Sequence, residues 1–380
     1  MSAQDVARTM RDVTSRMAVP GAVWATVSGP RQHVEIGSAR PLGPDTIFRI
    51  ASITKPIVAV LALRLVDEGL LELDAPIDPW LPEFADRRVL RARGGALDDT
   101  VPASRPTTLR DVLAMGSGLG WDMTAGPDDP WTTEYQRLEL ASAWQPPVLR
   151  PDRWAELAGS MPMAHQPGEG WLYQFSYDLV AVLIERATRR RLDLVLREKV
   201  LDPLDMRDTG YTVELTEVDR VPSSWFPNRR GEFVEVAPWG DPRLMNVPVF
   251  RSGATGLLST AADLARFAQM LLRGGRGPRG PVISAASFAA LTSDAVSEAA
   301  SAMAHEFLEP NRTWGLGVGI DLDAFHPGSH AGRFGWDGGT GTSLWVDPVS
   351  GVAGVLLTRQ GMGSPEPPEH LGAFWDAVHA

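Results

Sequence analysis

The order of segments along this chain predicts an α+β fold: an antiparallel β-sheet flanked by helices, plus a mostly helical domain between two sheet-forming ends. Three observations carry the prediction. A hairpin pattern follows the first helix. Proline, tryptophan and charge dominate the middle. Glycine-punctuated β-like runs return from Val234 and lead into a closing helix. The boundaries expected are 1–69 with 231–380 for the discontinuous sheet domain and 70–230 for the helical one.

Each element has a local reason. Val6, Met10, Val13 and Met17 recur at helical spacing. Ala22–Val27 and Gln32–Ile36 flank Ser28-Gly29-Pro30-Arg31 and read as a β-hairpin. Thr46–Ile50 is a short apolar stretch. Ile53 to Glu68 is helical in pattern and stops at Gly69, with Pro56 early enough that its missing N–H costs little. Leu109–Met115 and Leu179–Arg190 are the helices expected in the middle. Thr260–Leu272 is another, stopped by Gly274 and Gly275. Trp314–Ile320, Gly341–Asp347 and Gly351–Thr358 read as strands, the last two joined by the turn Pro348-Val349-Ser350. Pro368 to His379 closes the chain as a helix.

Bulk properties narrow the function. A chain of 380 residues can bury a large core. The net charge of −11 argues against a nucleic-acid partner, which would want a basic face. The absence of cysteine excludes disulfides, thiol chemistry and thiolate metal sites. The start Met1-Ser-Ala-Gln-Asp lacks a basic and apolar leader, and the apolar run from Ile57 is broken at Arg64. The expectation is therefore a cytoplasmic protein without a membrane span. No metal or organic cofactor is implied.

Only two of the 36 basic residues are lysines, Lys55 and Lys199. Arginine stays charged at any ordinary pH, whereas a desolvated lysine can become neutral and act as a base. Lys55 stands three residues after Ser52, one helical turn away, where such a base would activate a hydroxyl. Other catalytic patterns are missing. No serine has glycines two residues before and after it, as a nucleophile elbow requires. No His-Glu-x-x-His occurs, and the seven histidines look scattered. Gly315, Gly317 and Gly319 alternate in a strand-like run with no lysine or helix start behind them, so they suit close packing rather than a phosphate.

Three segments stand out together: Phe48-Arg-Ile-Ala-Ser52-Ile-Thr-Lys55, then Pro167-Gly-Glu-Gly-Trp171-Leu-Tyr173-Gln-Phe175, then Gly332-Arg-Phe-Gly-Trp336-Asp-Gly338-Gly339. With these motifs the chain resembles the serine β-lactamase superfamily, in particular its class C β-lactamase and family VIII carboxylesterase branch. Two flanking stretches, Pro203-Leu-Asp-Met-Arg-Asp-Thr-Gly210 and Ser252-Gly-Ala-Thr-Gly-Leu-Leu-Ser-Thr, add to the likeness, which runs from about residue 22 to 360. The resemblance implies a site in the cleft between the two domains. It implies Ser52 as nucleophile, Lys55 and Tyr173 as proton-handling partners, and the N–H groups of Ser52 and Gly339 as the oxyanion hole. The third motif is expected on an edge strand beside the serine, with Trp336, Phe175 and Gly338 against the substrate.

Departures from the family pattern sharpen this. The second motif usually ends in asparagine, which binds an amide; here it ends in Phe175. The third usually begins with a cation; here it begins with Trp336, as in the esterase branch. A β-lactam or peptide terminus would lose its polar partners, whereas a neutral ester would lose nothing. Arg333 and Arg359 are the cations that could restore anion binding. Trp121, Trp131, Trp144, Trp154 and Trp171 are either core or the lining of an apolar pocket. The leading expectation is a serine carboxylesterase acting on small or medium hydrophobic esters through an acyl-enzyme. The alternatives are a β-lactamase, a D-amino-acid or peptide amidase, an acyltransferase, and a non-catalytic binder of the same fold.

Overall fold

The computed structural model describes residues 3–380 apart from 30–31, 127, 141–144 and 365, so Trp144 and the tip of the first hairpin lie outside the described residues. Seven strands form one antiparallel sheet: β1 (Ala22–Ser28), β2 (His33–Ala39), β3 (Arg312–Trp314), β4 (Gly319–Asp321), β5 (Phe334–Gly338), β6 (Thr342–Asp347) and β7 (Val352–Thr358). Their spatial order is β3-β4-β5-β6-β7-β1-β2, so the N-terminal hairpin pairs directly onto the last strand. The predicted fold class is therefore present: an antiparallel sheet with helices, in which both ends of the chain contribute strands.

Helices α1 (Ala3–Arg16) and α5 (Glu369–His379) pack on each other and on β2 and β7. Helix α4 (Ala261–Leu272), N-capped by Thr260, packs against β1, β6 and β7. Helix α2 (Thr54–Asp67) is different. Every residue from Thr54 to Leu63 is buried, so its lack of a polar face reflects a helix enclosed on all sides. Helix α3 (Ser176–Thr188) packs against it.

Several expectations are corrected. The middle of the chain also contains Pro130–Arg137, Pro151–Ser160 and Leu192–Leu196 as helices; the first two begin with proline after Asp129 and Arg150. Trp314–Ile320 is not one strand but the turn between β3 and β4. The Gly315 N–H donates to the Val318 carbonyl, and Gly317 adopts φ +120°, where a Cβ would run into Ala59 and Tyr177. The strand of the third motif, β5, is internal. β4 pairs with it only at Phe334 and Gly335, which leaves Trp336–Gly338 open on that side.

Three of the histidines that look scattered in sequence converge under α5. The His330 ring pairs with Asp347 at 2.9 Å, His326 with Asp376 at 3.0 Å, and His379 lies 3.9 Å from Asp347. Burial pushes His370 and His379 down to about 4 from 6.5, with Arg333 adding to the effect on His379. Both rings thus titrate lower folded than unfolded. Between those two values the unfolded chain binds more protons, so stability falls as pH drops through that window. For His370 this amounts to roughly 3 kcal/mol. The expected outcome is a melting temperature that declines from pH 6.5 to 4, with a shallower decline in His370→Leu, as read by thermal denaturation at stepped pH.

Candidate active site

The chain reaches the site along Phe48–Arg49, which pairs with Leu258–Ser259. Ala51 then takes φ +43°, an uncommon left-handed conformation for a residue with a Cβ, and turns the backbone into a short 3-10 segment, Ala51–Ile53. Ser52 sits on that segment just before α2 and is 8% exposed, while Lys55 on the first turn of α2 is fully buried.

Lys55 Nζ has three neighbours at hydrogen-bonding distance: Ser52 Oγ at 2.9 Å, Gln174 Oε1 at 2.6 Å and the Ala254 carbonyl at 2.9 Å. It also stands 4.4 Å from the centre of the Tyr173 ring. Burial pushes the Lys55 ammonium well below its ordinary range, and only the carboxylate of Asp178 opposes this. As a neutral amine, Lys55 can donate its two N–H groups to the two carbonyl oxygens. Its lone pair is then left facing the Ser52 hydroxyl. The arrangement can therefore withdraw a proton from Ser52.

Gln174 escaped the sequence reading. It is buried, with φ +93°, a conformation that costs on the order of 1–3 kcal/mol and persists only where the surroundings impose it. Ala254 escaped it too, although its segment, Ser252-Gly-Ala-Thr, was among the recognisable stretches. Ser252 Oγ donates to buried Asp178 and accepts from the N–H groups of Ala254 and Thr255. That holds the Ala254 carbonyl toward Lys55. Gly253 permits it, because a Cβ there would collide with the Tyr177 carbonyl.

Tyr173 is clamped by rings. Phe307 stacks on it at 4.3 Å, and Trp121, Trp171, Trp314 and Trp336 surround it. Trp336 Nε1 donates to the Tyr173 hydroxyl at 2.6 Å. Burial raises the phenol well above its ordinary value, partly offset by hydrogen bonds from Ser52 and Trp336, while Asp337 adds to the rise. Tyr173 is thus a phenol and Lys55 the group inclined to lose its proton.

A cavity of about 300 Å³ opens over these groups, lined by Ser52, Trp121, Tyr173, Phe307, Trp336 and Gly339 among others. A Cβ at Gly339 would meet nothing within 4 Å, so the space before it is open. The structure brings Ser52, Lys55, Tyr173, Trp336 and Gly339 together. It does not bring Phe175 or Gly338 to the cavity wall. Phe175 stacks on Tyr135 at 4.0 Å in the core, and Gly338 packs on the Ile50 carbonyl and Thr342, where a Cβ would not fit. Arg333 is 1% exposed and paired with Asp321, and Arg359 is spent on the Pro20 carbonyl and Ser223, so neither offers an anion a free guanidinium in the cavity. Trp131, Trp154 and Trp171 are core, whereas Trp121 lines the cavity. Among the described residues no group of three or more His, Asp or Glu side chains could hold a metal ion, and no helix is long and apolar enough to cross a membrane.

Comparison with known proteins identifies the family. The Beta-lactamase family profile matches residues 6–376. The chain belongs to the Beta-lactamase family. It is a serine hydrolase of that family. An uncharacterized protein of Mycobacterium tuberculosis is 32% identical over 86% of this chain and 80% of its own length. Esterase EstB of Burkholderia gladioli is 31% identical over 90% of this chain and 84% of its own. The structure of EstCE1, described as a hydrolase with promiscuous acyltransferase activity, superposes with a TM-score of 0.82 at 22% identity, covering 99% of both chains; at that identity the likeness speaks for the fold.

Three expected outcomes follow from the proton arrangement. With Lys55 as the base that takes the Ser52 proton, kcat/KM is expected to fall as pH is lowered through the lysine's folded pKa, which lies below the usual lysine range. Replacing Asp178 by Asn removes the one charge that opposes this, so the acid limb of the pH–rate profile moves to lower pH. Trp336→Phe keeps a ring but loses the N–H on Tyr173, which should lower kcat roughly tenfold, the worth of one such bond. Single-turnover kinetics across pH measures all three.

Proposed function

We propose that the protein is a serine carboxylesterase acting on small or medium esters with hydrophobic arms. The observation that carries this is Trp336. At the position where the family pattern usually begins with a cation, an indole walls the cavity and spends its only polar group on Tyr173. A substrate carboxylate would find no available cation there. An amide would find no asparagine, because Phe175 points into the core and Gln174 is committed to Lys55. An ester needs neither.

The reaction then uses the groups as they stand, in the cleft between the proposed sheet and helical domains. Lys55 takes the Ser52 proton as Oγ attacks the acyl carbon, and the N–H groups of Ser52 and Gly339 face the developing oxyanion. When the C–O bond to the alcohol breaks, the Tyr173 hydroxyl delivers a proton to the departing alkoxide and is replenished from Lys55. Water then attacks the acyl-enzyme with the same pair, returning Ser52. The esterase reading is in keeping with the activity named for the EstB relative.

The native enzyme is expected to hydrolyse p-nitrophenyl butyrate, and Ser52→Ala to lose this by roughly 10⁴-fold or more. Nitrocefin turnover should be far slower than the ester's. Unchanged ester turnover in Ser52→Ala, or nitrocefin cleavage as fast as the ester's, would each overturn the reading.

A further inference from the structure

The charges around the cavity are not balanced at its surface. Arg312 lines it, but its side chain is only 4% exposed. It is held by Asp321 at 2.8 Å and by Glu309, itself at the rim, at 2.7 Å. Arg333 is likewise buried on the second oxygen of Asp321. Lys55 lies beneath the floor, where burial drives it toward the amine. At the rim the two guanidiniums face three carboxylates, Asp321, Glu309 and Asp337, so one negative charge is in excess. Asp337 is the middle residue of the third motif. It lines the cavity on the open side of β5. Its Oδ1 accepts from Ser343 and from Trp345 Nε1, and its charge acts on Arg333 without an ion pair at contact distance among the described residues. Its charge reaches the reaction centre, since it acts on Tyr173.

The remaining lining is aromatic: Trp121, Phe226, Phe307 and Trp336 beside Tyr173. A ring-lined cavity whose rim carries one carboxylate in excess of its cations suits a cation in two ways. The rings present negative faces to it, best for a quaternary ammonium that carries little hydration, and the carboxylate supplies the opposite charge in a site of reduced polarity. The same carboxylate repels an anionic arm.

We propose that this cavity selects esters bearing an ammonium group on the arm it receives and rejects those bearing a carboxylate, with Asp337 as the specificity-determining residue. This rests on the esterase reading for its substrate class, but the charge preference is a binding property and is tested without turnover. Butyrylcholine and its uncharged carbon isostere, 3,3-dimethylbutyl butyrate, place the charge difference on the alcohol arm. The p-nitrophenyl esters of 4-trimethylammoniobutyrate, 5,5-dimethylhexanoate and glutarate place it on the acyl arm.

Calorimetric titration of these esters into the Ser52→Ala protein gives dissociation constants even if no ester is hydrolysed. Binding of the ammonium member at least tenfold tighter than its isostere on one arm is expected. The glutarate half-ester should bind weakest of the acyl series. Asp337→Asn in the same background keeps the acceptor for Ser343 and Trp345 and should bring the ammonium and isostere to within about twofold. Native-enzyme kcat/KM ratios should follow the same pattern. Equal binding of ammonium and isostere on both arms overturns the proposal. So does a preference that survives Asp337→Asn while its far-UV and near-UV spectra match the parent. Absence of p-nitrophenyl butyrate hydrolysis by the native enzyme would instead overturn the esterase reading and leave the binding ratios to decide this one.

Discussion

The burial of one amine organises this site. Lys55 lies on a helix with no polar face, inside a core that offers nothing to solvate a charge. Removing an ammonium from water costs several kcal/mol even after relaxation. The fold answers with acceptors drawn from three distant parts of the chain: Ser52 from the preceding turn, Gln174 from the segment before α3, and Ala254 from the segment before α4. Each has its own support. Gln174 holds a left-handed backbone, and Ala254 is held through Ser252 by buried Asp178. Ala51 pays a conformational cost to aim Ser52. Two of the left-handed non-glycine positions, Ala51 and Gln174, are therefore tied to groups that converge on Nζ.

Burial explains the opposite displacements of the two titrating groups. The same low polarity that disfavours an ammonium disfavours a phenolate, so Lys55 is driven toward the amine and Tyr173 is kept as the phenol. Both shifts favour the uncharged forms. A proton leaving Ser52 would create the first charge at the centre, on Lys55, as negative charge develops at the oxyanion. The Trp336 N–H and the Ser52 hydroxyl then act on Tyr173 in the direction that lets it give up and regain a proton in turn. The ring stack around Tyr173 holds that oxygen in place without adding any group that could titrate.

Much of this was legible in the sequence, and what was not has a physical reason. Ser52, Lys55, Tyr173, Trp336 and Gly339 stand in short segments whose residue types and order are distinctive, and the structure gathers all five. Hairpin, sheet and closing helix followed from alternation and turn residues. Phe175 misled because a motif position does not specify a side-chain direction: the positive φ of Gln174 sends Gln174 to Lys55 and Phe175 into the core against Tyr135. Gly338 misled because its lack of a side chain serves the Ile50 carbonyl rather than a substrate. Phe307 carries no local signal, since only the tertiary fold brings the segment before β3 over Tyr173. The helices Pro130–Arg137 and Pro151–Ser160 were obscured by the proline and charge that in fact start them.

Trp336, Asp337 and Gly338 show how much one strand end determines. They are successive residues on β5 beyond the point where β4 stops pairing. The first gives its only donor to Tyr173, the second presents a carboxylate held by neutral donors, and the third lets the strand close against the Ile50 carbonyl just before Ser52. Position 336 thus bears on the Tyr173 hydroxyl, 337 on the charge at the cavity rim, and 338 on the distance between the strand and the segment of Ser52. A cation at 336 would undo two of these together. It would remove the donor geometry on Tyr173 and neutralise Asp337 next to it. An aromatic residue at 336 and an acidic one at 337 are therefore a linked pair. The indole adds no cation beside the carboxylate, and the proposed charge preference of the cavity rests on that.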